Sequence, residues 1–318
     1  MSFSNQYKKN VQKVLDFIQE NSLRSSKEIH TGLKSCVSYA TVKRTLTELI
    51  NKNLVLAEGK GRGTKYKLGL AYDLFKPIEV EEYFRLEIDE RKIKKSFSFD
   101  LIPKVLPTIR VFNNEELDKL GSLQQTYEQN IRDLSVSAYK KELERLSIDL
   151  SWKSSQIEGN TYSLLETERL LKEKETAKGK KKDEATMLLN HKHAIDFIIE
   201  NPGYLNPLVL SRIEDIHSLL TQDLGVERNI RSRRVGITGT NYLPLDNKYQ
   251  IKEALNQTCD LVNNTDSVFE KAFLLILLIS YIQAFSDGNK RTARIVSNAV
   301  LISNNYCPIS FRTVDSVE

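Results

Sequence analysis

Residues 283–294 read Gln283-Ala-Phe-Ser-Asp-Gly-Asn-Lys-Arg-Thr-Ala-Arg294, just after the apolar run Ala272-Phe-Leu-Leu-Ile-Leu-Leu-Ile279. Gly288 lets the backbone pass close to a ligand, and Asn289 tolerates a turn. The spacing predicts a helix from about Lys290, whose unpaired N–H groups face back onto the loop and favour an anion. Arg291 and Arg294, three apart, lie near that helix start, where each guanidinium can grip phosphate oxygens in pairs. Asp287 is a hard carboxylate suited to holding Mg²⁺ against phosphates, and Phe285 is expected to anchor the loop inward. An ordinary helix–loop–helix turn would explain any one of these features. Their concentration in one loop points to a phosphate site. Its first position, where a proton acceptor would make sense, is Gln283, and an amide accepts no proton near neutral pH.

Outward from this loop the patterns are helical. Helices are expected at 184–200, 206–223, 249–263, 266–283 and 290–304, with one long amphipathic helix over 126–152 and a helix capped by Asn113 or Asn114 before it. Residues 178–184 read as a charged, solvated loop, and 234–245 as a short β element. The run at 272–279 is far short of the roughly 20 residues of a membrane span and reads as a buried helix. Residues 71–112 form a connector, in which 80–89 could add a strand or two and Pro103 and Pro107 break any helix.

The first 70 residues differ in character. They hold 13 Lys/Arg against 5 Asp/Glu, a charge of +8, whereas the remainder carries −3. Val11, Val14, Leu15 and Ile18 recur at helical spacing; a short helix follows behind Ser25 or Ser26, and a third over about 38–53 is capped by Ser38 and buries Val42, Leu46 and Leu49/Ile50. Residues 54–68 read as two strands around a glycine-rich basic tip. Three helices and a hairpin resemble a winged helix-turn-helix domain, in which the third helix enters the major groove and the wing meets the backbone or minor groove. The residues placed to do so are Tyr39, Thr41, Lys43, Arg44 and Thr45 on the helix, with Lys60, Arg62, Lys65 and Lys67 on the wing. A protein-interaction module with a basic surface is the alternative.

Cys36, Cys259 and Cys307 are scattered and fit no metal pattern, and no signal segment opens the chain, so a reducing cytoplasm is expected. His30, His191, His193 and His217 form no metal cluster.

The loop at 283–294 resembles the signature of the Fic family, H-x-F-x-[DE]-G-N-x-R-x-x-R, at Phe285, Asp287, Gly288, Asn289, Arg291 and Arg294. Ser154-Ser-Gln-Ile-Glu-Gly-Asn160 resembles the family's inhibitory motif at Ser154, Glu158 and Gly159. Residues 235–245 resemble its target-binding flap, and 308–315 its C-terminal tail. That tail stops close to Glu318, which leaves room for a further C-terminal segment. The resemblance implies a mainly α fold: an N-terminal winged helix over 1–70, a connector, and over 113–318 an all-α core with a β-hairpin flap.

It implies AMP transfer from Mg²⁺-bound ATP to a protein hydroxyl. Asp287 would take the metal, Gly288, Asn289 and Lys290 the α and β phosphates, and Arg291 and Arg294 the β and γ groups. Glu158 would hold Arg294 away from the γ-phosphate, with Ser154 orienting Glu158. Ile237, Thr238, Gly239 and Thr240 would contact an extended target strand. The family places histidine where this chain has Gln283, and loss of a general base lowers a rate about 10²–10⁴-fold. Three explanations stand: a natural variant that binds ATP and transfers poorly, chemistry run by phosphate positioning alone, or a substitution introduced to trap a complex. The partners expected are a protein target (including the chain itself), DNA through the head, and further copies of the chain, but no membrane. The rival function is an inert, nucleotide-binding DNA-binding regulator.

Overall fold

The structure, a computed structural model, describes residues 5–33, 37–76 and 78–313. Cys36 and the tail residues Val314 and Asp315 lie outside the described residues. The chain divides into two compact units: residues 1–91 with 98–110, and residues 92–97 with 111–318.

The first unit opens with α1 (Asn5–Glu20) and a two-residue β1 (Arg24–Ser25). α2 (Ser26–Gly32) starts under a reciprocal cap: Ser25 accepts from Glu28 N while Glu28 accepts from Ser25 N. α3 (Tyr39–Asn51) starts at Ser38, whose hydroxyl accepts from Thr41 N. β2 (Val55–Glu58) and β3 (Lys65–Leu68) pair antiparallel, Val55 opposite Leu68 and Glu58 opposite Lys65, and β1 adds to the other edge of β3. Val14, Leu15, Ile18, Ile29, Val42, Leu46, Leu49 and Val55 meet in one core. Their 3.6-residue spacing puts one stripe of each helix inside and leaves the opposite face wet. Past the wing, α4 (Leu70–Phe75) and α5 (Val80–Arg85) are short helices, and residues 101–108 form tight helical turns around Pro103 and Pro107. In place of the strand expected at 80–89 there is the helix Val80–Arg85 and a tight turn at Ile88–Glu90: five of the six residues of Val80–Arg85 are charged or aromatic, and none is buried.

In the second unit the long helix expected over 126–152 is two helices. α6 (Asn114–Arg132) ends at Asp133, and α7 (Val136–Ile157) begins afresh with the Ser135 hydroxyl accepting from Ala138 N. α8 (Leu164–Glu173), unforeseen from the pattern, begins with a Ser163–Glu166 capping box. α9 (Lys182–Glu200), α10 (Leu210–Thr221), α11 (Lys248–Asn263), α12 (Val268–Ile282) and α13 (Asn289–Ser303) follow. Every residue of α13 from Arg291 to Leu301 is buried. It is the central helix, packed along α12 and flanked by α7, α9 and α10. A helix so enclosed has no amphipathic stripe, as its run Ala293-Arg-Ile-Val-Ser-Asn-Ala-Val-Leu301 indicates. No described helix is long and apolar enough to cross a membrane.

Candidate nucleotide site

α12 ends at Gln283, which adopts a left-handed conformation (φ 51°, ψ 57°) that few non-glycine residues take. Five positions later, Gly288 (φ 79°) starts α13 without any side-chain cap. A Cβ at Gly288 would come within 3.1 Å of the Thr221 methyl and 3.5 Å of the His217 ring, so both the dihedral and the space select glycine. The first N–H groups of α13 therefore open onto the loop with no side chain competing for them, which is the arrangement an anion fills.

Inside the loop, Asn289 spends its amide on the backbone: Nδ2 donates to Phe285 O (2.8 Å) and Oδ1 accepts from Phe285 N (2.9 Å). What Asn289 offers a phosphate is thus its main-chain N–H, while its side chain locks the turn. Phe285 is fully buried and stacks on His217, centroids 3.8 Å apart and planes within 7°. His217 Nε2 lies 2.9 Å from the Asp287 carbonyl. A carbonyl only accepts, so Nε2 carries the proton. Burial keeps this ring neutral by lowering its pKa.

The two arginines are in place but occupied. Arg291, 2% exposed, donates to Asp287 Oδ2 (3.1 Å) and to the Leu220 carbonyl. Arg294 donates from Nη2 to Glu158 Oε1 (2.7 Å) and from Nη1 to both the hydroxyl (2.9 Å) and carbonyl (3.1 Å) of Ser154. Ser154 was expected to orient Glu158; it binds Arg294 instead, because its position one turn above the helix end faces the guanidinium. Glu158 caps α7, Gly159 turns the chain with φ 90°, and the Asn160 amide then donates to Glu184 O on α9. That fastening holds Glu158 over Arg294.

Asp287 has an exposed carboxylate with one oxygen on Arg291. Among the described residues no group of three or more His, Cys, Asp and Glu gathers as a metal site. A single carboxylate fits Mg²⁺ in the mode where nucleotide phosphates and water complete the shell. Lys290 is exposed at the loop rim.

Two contributors escaped sequence reasoning. Arg231, 1% exposed, donates to the carbonyls of Gln283 (2.7 Å), Arg233 (2.7 Å) and Leu245 (2.5 Å), and its own N–H donates to Ala284 O. It ties the start of the loop to residues 233–245. The stretch Arg228-Asn-Ile-Arg-Ser-Arg-Arg234 offers four arginines, and nothing local distinguishes the buried one.

His191 on α9 is the second. It is 1% exposed and neither ring nitrogen has a partner among the described residues. Burial first, and then the charges of Arg291 and Arg294, push its pKa down from 6.5 to about 3. The folded chain keeps it neutral where the unfolded chain protonates it, so stability falls as pH drops through that interval, by up to about 1.4 kcal/mol per pH unit from this group. Urea unfolding at pH 7, 5.5 and 4.5 should show that slope reduced in His191→Gln; an unchanged slope would remove His191 as its source.

Gln283 itself is 8% exposed, and its Nε2 donates to Ser280 O (2.6 Å), folding the side chain back on its own helix. Residues 234–245 form a turn closed by Thr240 N donating to Ile237 O, with extended arms in place of a paired hairpin. Ile237, Thr238, Gly239 and Thr240 form that turn. On the first unit, Lys43, Arg44, Lys60 and Lys65 are exposed, and Lys67 pairs with Glu58 on the neighbouring strand. The Lys43 ammonium lies 5.4 Å above the Tyr39 ring, the Thr41 hydroxyl meets Ser38, and Thr45 is buried in the core, so Thr45 is no surface contact. The Arg62 side chain lies outside the described residues.

Residues 207–301 match the Fic/DOC family and residues 10–85 match the Penicillinase repressor family. Over those two stretches the chain is thus similar to Fic/DOC proteins and to repressor-type winged-helix domains. It is 25% identical over 223 residues to "Protein adenylyltransferase Fic" of Nematostella vectensis, covering 67% of this chain and 50% of that protein. With "Protein adenylyltransferase fic-1" of Caenorhabditis elegans it shares 26% identity over 166 residues, 48% of this chain and 31% of that one. The chain therefore spans half or less of the length of these curated relatives. A Fic domain containing signaling protein from Bacteroides thetaiotaomicron has the same fold over 59% of this chain and 74% of its own, with a TM-score of 0.51 at 21% identity.

Proposed function

We propose that the second unit binds ATP with Mg²⁺ and transfers AMP to a protein hydroxyl, restrained by Glu158 and slowed by the amide at Gln283. The observation that carries this reading is the uncapped start of α13 with two buried arginines behind it, one of them held by a carboxylate from α7. Phosphates would lie on the N–H groups after Gly288, with Arg291 and Arg294 neutralising their charge. Mg²⁺ on Asp287 would supply further charge neutralisation. The acceptor oxygen attacks the α-phosphorus, the bond to the bridging oxygen breaks, and pyrophosphate leaves with the electron pair. Without a base the hydroxyl proton passes to solvent. While Glu158 holds Arg294, the γ-phosphate has one arginine fewer and the α-phosphate is poorly aligned for in-line attack.

Calorimetry with Mg²⁺-ATP tests this directly. Glu158→Gly should tighten binding about tenfold, the equivalent of one charge-assisted contact regained, and should raise incorporation of α-labelled phosphate into protein. No heat of binding in either form would remove the nucleotide reading.

A second reading, an ATP-responsive DNA-binding regulator without transfer, is favoured by one observation: the Gln283 amide donates to Ser280 O, in a position to activate nothing. For its DNA arm, Lys60→Ala with Lys65→Ala should weaken a retarded duplex band and lower the slope of log affinity against log salt by about 0.9 per phosphate contact removed. Retardation undiminished by both changes would point to protein interaction instead.

A further inference from the structure

Residues 92–97 belong to the second unit, although residues on both sides of them belong to the first. They run Lys92-Ile-Lys-Lys-Ser-Phe97. Leu243 N donates to the Lys95 carbonyl at 2.8 Å, and Ser96 pairs with Leu243 in a parallel β-bridge. Two residues beyond Leu243, the Leu245 carbonyl is held by Arg231, which also holds the Gln283 carbonyl. The strand therefore lies on the limb of the flap that is tied to the nucleotide loop.

A side chain fixes it there. The Phe97 ring stacks on Tyr281, centroids 4.9 Å apart at 20°, and Tyr281 stacks on Tyr242 at 5.0 Å and 18°. The Tyr242 hydroxyl donates to Tyr281 O. Phe97 is 9% exposed, whereas Phe99, in the turn that follows, is 57% exposed. Main-chain pairing plus one buried aromatic is how an edge strand recognises an extended peptide: the backbone supplies affinity and the pocket supplies choice.

We propose that residues 94–97 are a resident occupant of the flap, standing where an extended target segment bearing an aromatic side chain docks. The inference rests on the proposed transferase taking its protein target at the flap, and it specifies that target: an unpaired strand with an aromatic ring for the Tyr281–Tyr242 face.

The test uses the full chain, no nucleotide, and a fluorescent peptide of sequence Lys-Ile-Lys-Lys-Ser-Phe-Ser-Phe. Phe97→Ala should bind this peptide about tenfold or more tighter than the unaltered chain, on the scale of a stacked aromatic contact. Replacing the peptide's first Phe with Ala, or adding Leu243→Pro to remove the donor N–H, should reverse the gain. Equal affinity of Phe97→Ala and the unaltered chain overturns the proposal, as does indifference to either reversal. In the unaltered chain, excess peptide should speed hydrogen exchange of the 93–97 amides; unchanged exchange also overturns it. Peptide binding without AMP transfer would count against the activity alone, since binding is read without ATP.

Discussion

Gln283→His should raise AMP transfer from ATP by about 10²–10⁴-fold, the usual worth of a positioned general base. The expectation depends on how position 283 is built. Its backbone closes α12 in a left-handed turn, its N–H donates to Ile279 O, and its carbonyl is held by Arg231. None of those bonds involves the side chain. The Gln283 amide makes one contact, to Ser280 O, and an imidazole gives that up without leaving a buried charge. The substitution should therefore change chemistry without moving the loop. Incorporation of α-labelled phosphate into protein, measured in the unaltered chain, Gln283→His, Glu158→Gly and the double variant, checks it. The largest signal is expected in the double variant, where Arg294 is released and the acceptor has a base. Equal, low incorporation in all four, with ATP binding intact, would leave the regulator reading in possession.

Arg231→Met should destabilise the second unit by about 3–5 kcal/mol, near the upper end for a single substitution. Methionine matches the stem and offers no side-chain N–H, so the carbonyls of Gln283 and Leu245 would each lose a donor in a buried setting and that of Arg233 in a part-buried one. Unsatisfied buried acceptors account for the size of the effect. Arg231→Lys should recover little, because an ammonium cannot span three divergent carbonyls as a planar fork does. Urea denaturation reads the loss of stability, and calorimetry reads the loss of ATP affinity as the loop detaches from residues 233–245. A variant as stable as the parent would show that the three carbonyls are served in another way.

Local signals carried much of this fold. Ser25, Ser38 and Asn113 cap helices where short polar residues precede apolar periodicity, and the glycine-rich wing sits between its two strands. Two boundaries were legible and passed over: Ser163 followed by Glu166, and Ser135 inside an otherwise continuous helical pattern. The turn at 283–289 and the helix behind it could be read because their signals are contiguous. What could not be read depends on distant partners. Arg231 is buried because carbonyls from 245 and 283 converge on it, and Ser154 faces Arg294, 140 positions away. Thr45 shares a helix with Lys43 and Arg44, and only the packing of α3 decides which of them meets water. The resident strand at 94–97 has no period of its own; its place comes from Leu243 and Tyr281.

The way Gln283 is seated has a genetic consequence. Glutamine and histidine codons differ only in the third base. The backbone at 283 is held by α12 and Arg231 whichever side chain it carries. If the proposed transfer turns on a base at 283, a lineage could gain or lose that base by a single transversion, with no intermediate that must first refold the loop.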